Sequence, residues 1–227
     1  MSQTYLSSLR GYEFSPMHPS EVSQQLPGFE VDGILGVGGM GAVYRGWQKS
    51  LHRHVAIKLL PEELEAVDGL AERFESEARA MARLSHGSIA GVFDINRTEE
   101  GRSYFVMEYV DGGTLHDLMN DRELKPEEIV HIMTQVCDGL QYAHDRDVIH
   151  RDIKPNNILI TQEGKVKLVD FGLAHVGEAV SPGSMAGTPR YMAPELFEDD
   201  AAVDGRADID ILNIKLEPSI GTPNILS

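Results

Sequence analysis

The chain has 227 residues, 41% of them hydrophobic and 25% charged, a length and balance that suit one soluble globular domain with at most two lobes. Its 36 acidic against 20 basic residues give a formal net charge of −16, which argues against nucleic acid and against an anionic membrane surface, since both require a basic face. Cys137 is the only cysteine, so one chain forms neither a disulfide framework nor a Cys-based zinc site, and a reducing, cytoplasmic setting is expected.

Residues 1–28 are rich in Ser, Gln and Pro, show no helical or strand period, and read as a mobile leader without the apolar run of a signal peptide. From Phe29 to Val43, short apolar runs are broken by glycines, and Val55-Ala56-Ile57 is a β-prone run ending at Lys58. Pro61, Glu62 and Glu63 open a polar stretch. Gly69 to Leu84 reads as a helix whose inward face carries Leu70, Phe74, Glu77, Ala78, Met81 and Leu84. Strands are predicted at Ala90–Ile95 and Tyr104–Tyr109, joined through Glu99-Glu100-Gly101.

Beyond Asp111-Gly112-Gly113 the pattern turns helical. Thr114 with Asp117 resembles a capping box, and Pro126 stands where a helix can begin. Ile129, Ile132, Met133, Val136, Leu140 and Ala143 then keep a 3.6-residue period to about His144. Short strands at Ile158–Ile160 and Val166–Val169 flank a turn at Glu163-Gly164. Strands first and helices later indicate a two-lobed α+β protein, and no stretch reaches the apolar length of a membrane-spanning helix.

Six motifs stand along this frame. Gly36-Val37-Gly38-Gly39-Met40-Gly41 has the G-x-G-x-x-G spacing that dinucleotide-binding domains share, but a strand-like Ala42-Val43-Tyr44-Arg45-Gly46 follows where those domains open a helix. A glycine turn between two strands can form a flap over phosphates, whose N–H groups approach closely because no Cβ intervenes; alone, it is equally an ordinary glycine hairpin. Lys58 at its strand end and Glu77 on its helix would, singly, be ordinary surface charges. His150-Arg151-Asp152-Ile153-Lys154-Pro155-Asn156-Asn157 gathers carboxylate, cation and amide into one loop. Asp170-Phe171-Gly172 and Gly187-Thr188-Pro189-Arg190-Tyr191-Met192-Ala193-Pro194-Glu195 complete the series, in an order and spacing that chance does not supply.

With these six motifs the chain resembles the eukaryotic-type protein kinase family over about Phe29 to Asp210. Lys154, two residues after Asp152, and Gly187-Thr188-Pro189 look like the Ser/Thr branch, similar to bacterial Ser/Thr kinases. The resemblance implies a small antiparallel β N-lobe with one helix over 29–110, a helical but incomplete C-lobe over 111–210 and a divergent tail over 211–227. It implies ATP and Mg²⁺ as cofactors and a protein Ser or Thr hydroxyl as acceptor. By resemblance, Lys58 holds the α- and β-phosphates and pairs with Glu77, while Asn157 and Asp170 hold Mg²⁺. Asp152 orients or accepts the hydroxyl proton, Lys154 steadies the γ-phosphate, and Thr188 bonds to both. The glycines Gly36, Gly38, Gly39 and Gly41 cover the phosphates. Leu35, Val43, Ala56 and Leu159 line the adenine pocket with Met107 at its back, and backbone groups of Glu108 and Val110 pair with the base. Met81, Val92, His150 and Phe171 match an apolar spine between the lobes, and Arg151 is expected to meet a phosphate on Ser181 or Ser184.

The resemblance fails near the end. Asp204-Gly205-Arg206-Ala207-Asp208-Ile209 resembles the start of the next family helix, with Asp208 bracing the catalytic loop, but Asp210 to Pro218 does not continue it. Glu195 then lacks the later Arg it normally pairs with, since no Arg follows Arg206. A truncated kinase is therefore expected, either active or reduced to a module that holds nucleotide or a partner. The acidic stretch Glu195–Asp210 would suit basic substrates.

Overall fold

The computed structural model of the chain describes residues 15–38, 41–67 and 69–171, together with Asp208. Gly39, Gly172, Ser181, Ser184, the Gly187–Glu195 motif with Thr188, and the expected divergence over 210–227 lie outside the described residues.

Five strands form the first sheet: β1 (Phe29–Gly38), β2 (Gly41–Gln48), β3 (Arg53–Leu59), β4 (Val92–Arg97) and β5 (Ser103–Glu108), in the order β1-β2-β3-β5-β4, every pair antiparallel. β3 and β5 lie inside the sheet and are buried along most of their length, which explains their unbroken Val-Ala-Ile and Tyr-Phe-Val runs. Side chains alternate across the sheet, so Val55, Ile57 and Leu59 join Val31, Tyr44 and Val106 in one apolar layer. Ala56 and Met107 turn to the other face, where they pack with Phe74 and Ala78. These last two belong to α3 (Leu70–Met81), which follows a one-turn helix α2 (Glu62–Glu65). Glycine is required at Gly41, where φ is +128° and a Cβ would stand 2.3 Å from the Leu59 carbonyl oxygen.

Residues 15–28 depart from the mobile leader read from the sequence. They contain a helix, α1 (Pro19–Gln25), which buries Val22 and places Leu26 beside Phe29 and Tyr44. His18 caps it: the His18 N–H donates to Glu21 Oε2 at 3.0 Å, and Pro19 supplies a helical φ at the first position. Ser23 Oγ accepts from the Val31 N–H at 2.7 Å, tying the helix to β1. Seven residues with one buried apolar position are too short to show a period.

The second half is helical. β6 (Gly112–Thr114) leads into α4 (Leu115–Asp121), whose capping box forms with both bonds, the Asp117 N–H on Thr114 Oγ1 at 3.0 Å and the Thr114 N–H on Asp117 Oδ2 at 3.2 Å. α5 (Pro126–His144) begins at Pro126 and buries Ile132, Val136, Leu140 and Ala143. A 3₁₀ turn (Pro155–Asn157) precedes β7 (Ile158–Thr161) and β8 (Val166–Leu168), which make a second sheet in the order β6-β7-β8. The two halves are sewn together at Ser88–Gly91. There the Leu168 N–H donates to Ser88 O at 2.8 Å and the Ala90 N–H to Leu168 O at 3.0 Å.

Candidate active site

The site lies where the end of β3, the inner face of α3 and the loops beside β7 and β8 meet. Register places Val43 opposite Lys58 and Ala56 opposite Met107, so these four side chains share one face of the first sheet. Ala56 and Met107 are buried, Val43 is half-buried and Leu35 on β1 is exposed. Gly36 and Gly38 have no atom within 4 Å of where a Cβ would stand, which leaves open space beside this part of the hairpin. Leu159 lies on β7 of the second sheet, and Val110 follows β5 in the connection to β6.

Lys58 is the electrostatic centre. Its Nζ lies 3.2 Å from Glu77 Oε1 and 2.9 Å from Asp170 Oδ1. Glu77 is buried on a helix face that is otherwise apolar, so the Lys58 ammonium accounts for its presence there. Burial pulls the Lys58 pKa down, but the two carboxylates more than reverse this and hold the amine charged. Burial also acts on the carboxylates. It raises Glu77 overall, with Lys58 opposing, whereas at Asp170 the Lys58 ammonium wins and the pKa is lowered. Asp170 is therefore the firmer anion of the two. Its backbone has φ +55°, an unusual conformation for a residue with a side chain.

The loop before β7 builds a second cluster. Asp152 Oδ2 accepts from Lys154 Nζ at 2.6 Å and from Asn157 Nδ2 at 3.0 Å, and Asn157 Nδ2 also donates to Asp152 O at 2.8 Å. Among the described residues both side-chain bonds fall on Oδ2, which leaves Oδ1 for another partner. With Nδ2 engaged, the Asn157 amide has its oxygen available, and Asn157 with Asp170 offers the hard oxygen donors that Mg²⁺ takes.

Asp208 holds this loop from beneath. It is fully buried, and its carboxylate accepts from the His150 N–H at 2.8 Å, the Arg151 N–H at 2.7 Å and His144 Nε2 at 2.7 Å. Burial alone would raise its pKa, but the bonds from His144 and the loop outweigh it, so the group is held below the ordinary carboxylate range. Arg151 has φ +64°, and two consecutive N–H groups aimed at one carboxylate stabilise that strained turn. The Arg151 guanidinium is half-buried, with Nε and Nη1 lacking any hydrogen-bond partner among the described residues.

His150 is fully buried and stacks on Phe171 at 4.4 Å between ring centroids. Its Nδ1 accepts from the Asp152 N–H at 3.3 Å, so Nε2 carries the proton and donates to Val169 O at 3.0 Å. That is the neutral tautomer, and burial lowers the pKa accordingly. A His whose folded pKa is depressed gives stability that is complete above its ordinary value of 6.5 and is lost as pH falls through the folded value. The melting temperature is therefore expected to fall as pH drops below about 6.5. In His150→Gln, which retains a donor, the slope in that window should flatten, and an unchanged slope would assign it to other groups.

Lys58, Glu77, Asp170, Asp152, Lys154 and Asn157 thus come together as the sequence motifs imply. His144 was missed by the sequence analysis because its partner lies 64 residues away and no local spacing connects them.

Residues 29–211 match the protein kinase domain family. Serine/threonine-protein kinase Pkn1 of Myxococcus xanthus is 42% identical over 188 residues, covering 79% of this chain and 27% of the relative. PknB of Mycobacterium leprae is 38% identical over 189 residues, covering 80% and 30%. The chain therefore spans under a third of the length of these curated relatives. The crystal structure of the Mycobacterium tuberculosis PknI kinase domain superposes with a TM-score of 0.65 at 35% identity, covering 82% of this chain and 71% of that one. Among the described residues no helix is long and apolar enough to cross a membrane. The fold, the matched span and these similarities place the chain in the protein kinase domain family.

Proposed function

We propose that the chain transfers the γ-phosphoryl group of ATP to Ser or Thr hydroxyls of proteins. The observation that carries this is the Asp152 carboxylate, held through Oδ2 by Lys154 and Asn157 with Oδ1 unbonded among the described residues, beside the Lys58–Glu77–Asp170 cluster. Phosphoryl transfer asks a protein for position and charge rather than covalent chemistry. Asp152 Oδ1 takes or orients the proton of the acceptor hydroxyl, while Lys154, already on Oδ2, places a cation beside the γ-phosphoryl oxygens. Lys58 holds the α- and β-phosphates, and Glu77 keeps its ammonium from collapsing fully onto Asp170. In this reading the glycine hairpin over Gly36, Gly38, Gly39 and Gly41 would cover the phosphates, and Thr188, which lies outside the described residues, would be the partner of Asp152 and Lys154.

The adenine ring lies among Leu35, Val43, Ala56 and Leu159 against Met107, with backbone groups of Glu108 and Val110 as its polar partners. Asn157 and Asp170 would hold Mg²⁺, which would offset the negative charge of the phosphates. Nε and Nη1 of Arg151, without a partner among the described residues, support a regulatory phosphate on Ser181 or Ser184.

The test incubates purified chain with Mg²⁺, labelled ATP and a basic protein acceptor, beside Asp170→Asn. Label on Ser or Thr that disappears in the variant supports the proposal. Nucleotide that raises the melting temperature without transfer would make the chain a binding module, and neither effect would overturn both.

A further inference from the structure

Lys167 carries a charge that the chemistry above does not use. It stands on β8 directly opposite Leu159 of β7. Opposed residues of an antiparallel pair project from the same face, so Lys167 flanks the residue assigned to the floor of the nucleotide pocket. Its Nζ reaches Glu108 at the end of β5, 2.8 Å from Oε1 and 2.9 Å from Oε2. The Lys167 side chain is 15% exposed and that of Glu108 32%, so this pair is better shielded than a surface ion pair.

Glu108 is also held from a second direction. Its N–H donates to Gly91 O at 2.8 Å, and its Oε2 accepts from the Gly91 N–H at 3.2 Å. After Glu108, the last residue paired in the ladder of the first sheet, the backbone of 109–110 has no strand pairing to fix its direction. The carboxylate, gripped by Lys167 on one side and Gly91 on the other, supplies that constraint.

We infer that the Lys167–Glu108 ion pair is a positioning element for the nucleotide, fixing the 108–110 backbone against the β7–β8 floor so that its polar groups face the base. The inference rests on the nucleotide-binding role proposed above. Lys167 touches no reacting group and acts through Glu108, so its removal affects binding rather than the chemical step. It also stands next to the base-binding wall as a cation, which disfavours positively charged groups on a base-site ligand.

Three variants test this. Lys167→Met keeps the unbranched stem and removes the charge, Lys167→Arg keeps the charge, and Glu108→Gln keeps the Gly91 contact while weakening the pair. Calorimetric Kd for ATP with Mg²⁺ and the separate kcat and KM values are measured for each. Lys167→Met and Glu108→Gln are expected to raise Kd and KM by about tenfold with kcat within about twofold, and Lys167→Arg to recover most of the loss. A purely structural role would lower the melting temperature and kcat with the folded fraction while leaving KM unchanged, and that result overturns the inference. Tight ATP binding by the unsubstituted chain and equally tight binding by Lys167→Met overturns the role of the pair alone. An unsubstituted chain that binds no ATP overturns the nucleotide assignment, and this inference with it.

Discussion

Asp152→Asn should lower phosphoryl transfer by about 10²–10⁴-fold and leave ATP affinity within about twofold. The substitution is nearly isosteric, and Asp152 makes its side-chain bonds to Lys154 and Asn157 rather than to Lys58 or the glycine hairpin. What is lost is the anion. An amide in that place cannot accept the hydroxyl proton, and one of its two polar ends is a donor that would face Lys154 Nζ or Asn157 Nδ2 if it replaced Oδ2. The loss should therefore fall on kcat. Single-turnover transfer and equilibrium nucleotide binding separate the two quantities, and a variant with wild-type kcat would remove Asp152 from the proposed chemistry.

The second large effect is expected at a residue remote from the phosphates. Asp208→Asn is expected to lower stability by about 3–5 kcal/mol, read by denaturant unfolding, and to depress transfer with it. Asp208 accepts three hydrogen bonds in full burial, from two consecutive backbone N–H groups and from His144. An asparagine has one acceptor oxygen, so its NH₂ must confront either the Arg151 N–H or the pair formed by the His150 N–H and His144 Nε2. The freed N–H is buried, and the left-handed Arg151 loses the contact that offsets its strain. His144→Gln removes only the outer bond and should cost less. Equal stability of Asp208→Asn and the unsubstituted chain would show that the strained loop is held by other contacts.

Much of this was legible in the chain because it is local. The α5 period from Ile132 to Ala143, the Thr114–Asp117 cap and the short strands flanking Glu163-Gly164 each depend on neighbours within a few residues, and the structure differs from the expected boundaries only at the ends. The expected helix over Gly69 to Leu84 is observed as Leu70–Met81, since Ala82 and Arg83 continue only as a turn. The Lys58–Glu77 pair was anticipated from the resemblance and from a charge on an apolar face. α1 was missed because so short a polar segment encodes its burial through Val22 and Leu26 and its cap through His18, none of which is periodic. Lys167–Glu108 and His144–Asp208 were missed for another reason. Their partners are separated by 59 and 64 residues, and only the folded chain brings them together.

The stitching of Ser88–Gly91 to Leu168 and Glu108 has a mechanical consequence. The first sheet and the helical half are joined there by backbone hydrogen bonds, which have no rotamers to change, so rocking of one half on the other is expected to turn about that point. A fulcrum so close to the back of the cleft would convert small rotations into larger sweeps at the Gly36–Gly38 end of β1 than at Met107. Spectroscopic labels on the hairpin would then report opening and closing with high gain, while labels near Ala90 would stay silent through the same cycle. The base end of the cleft keeps its shape throughout, and the phosphate end does the moving.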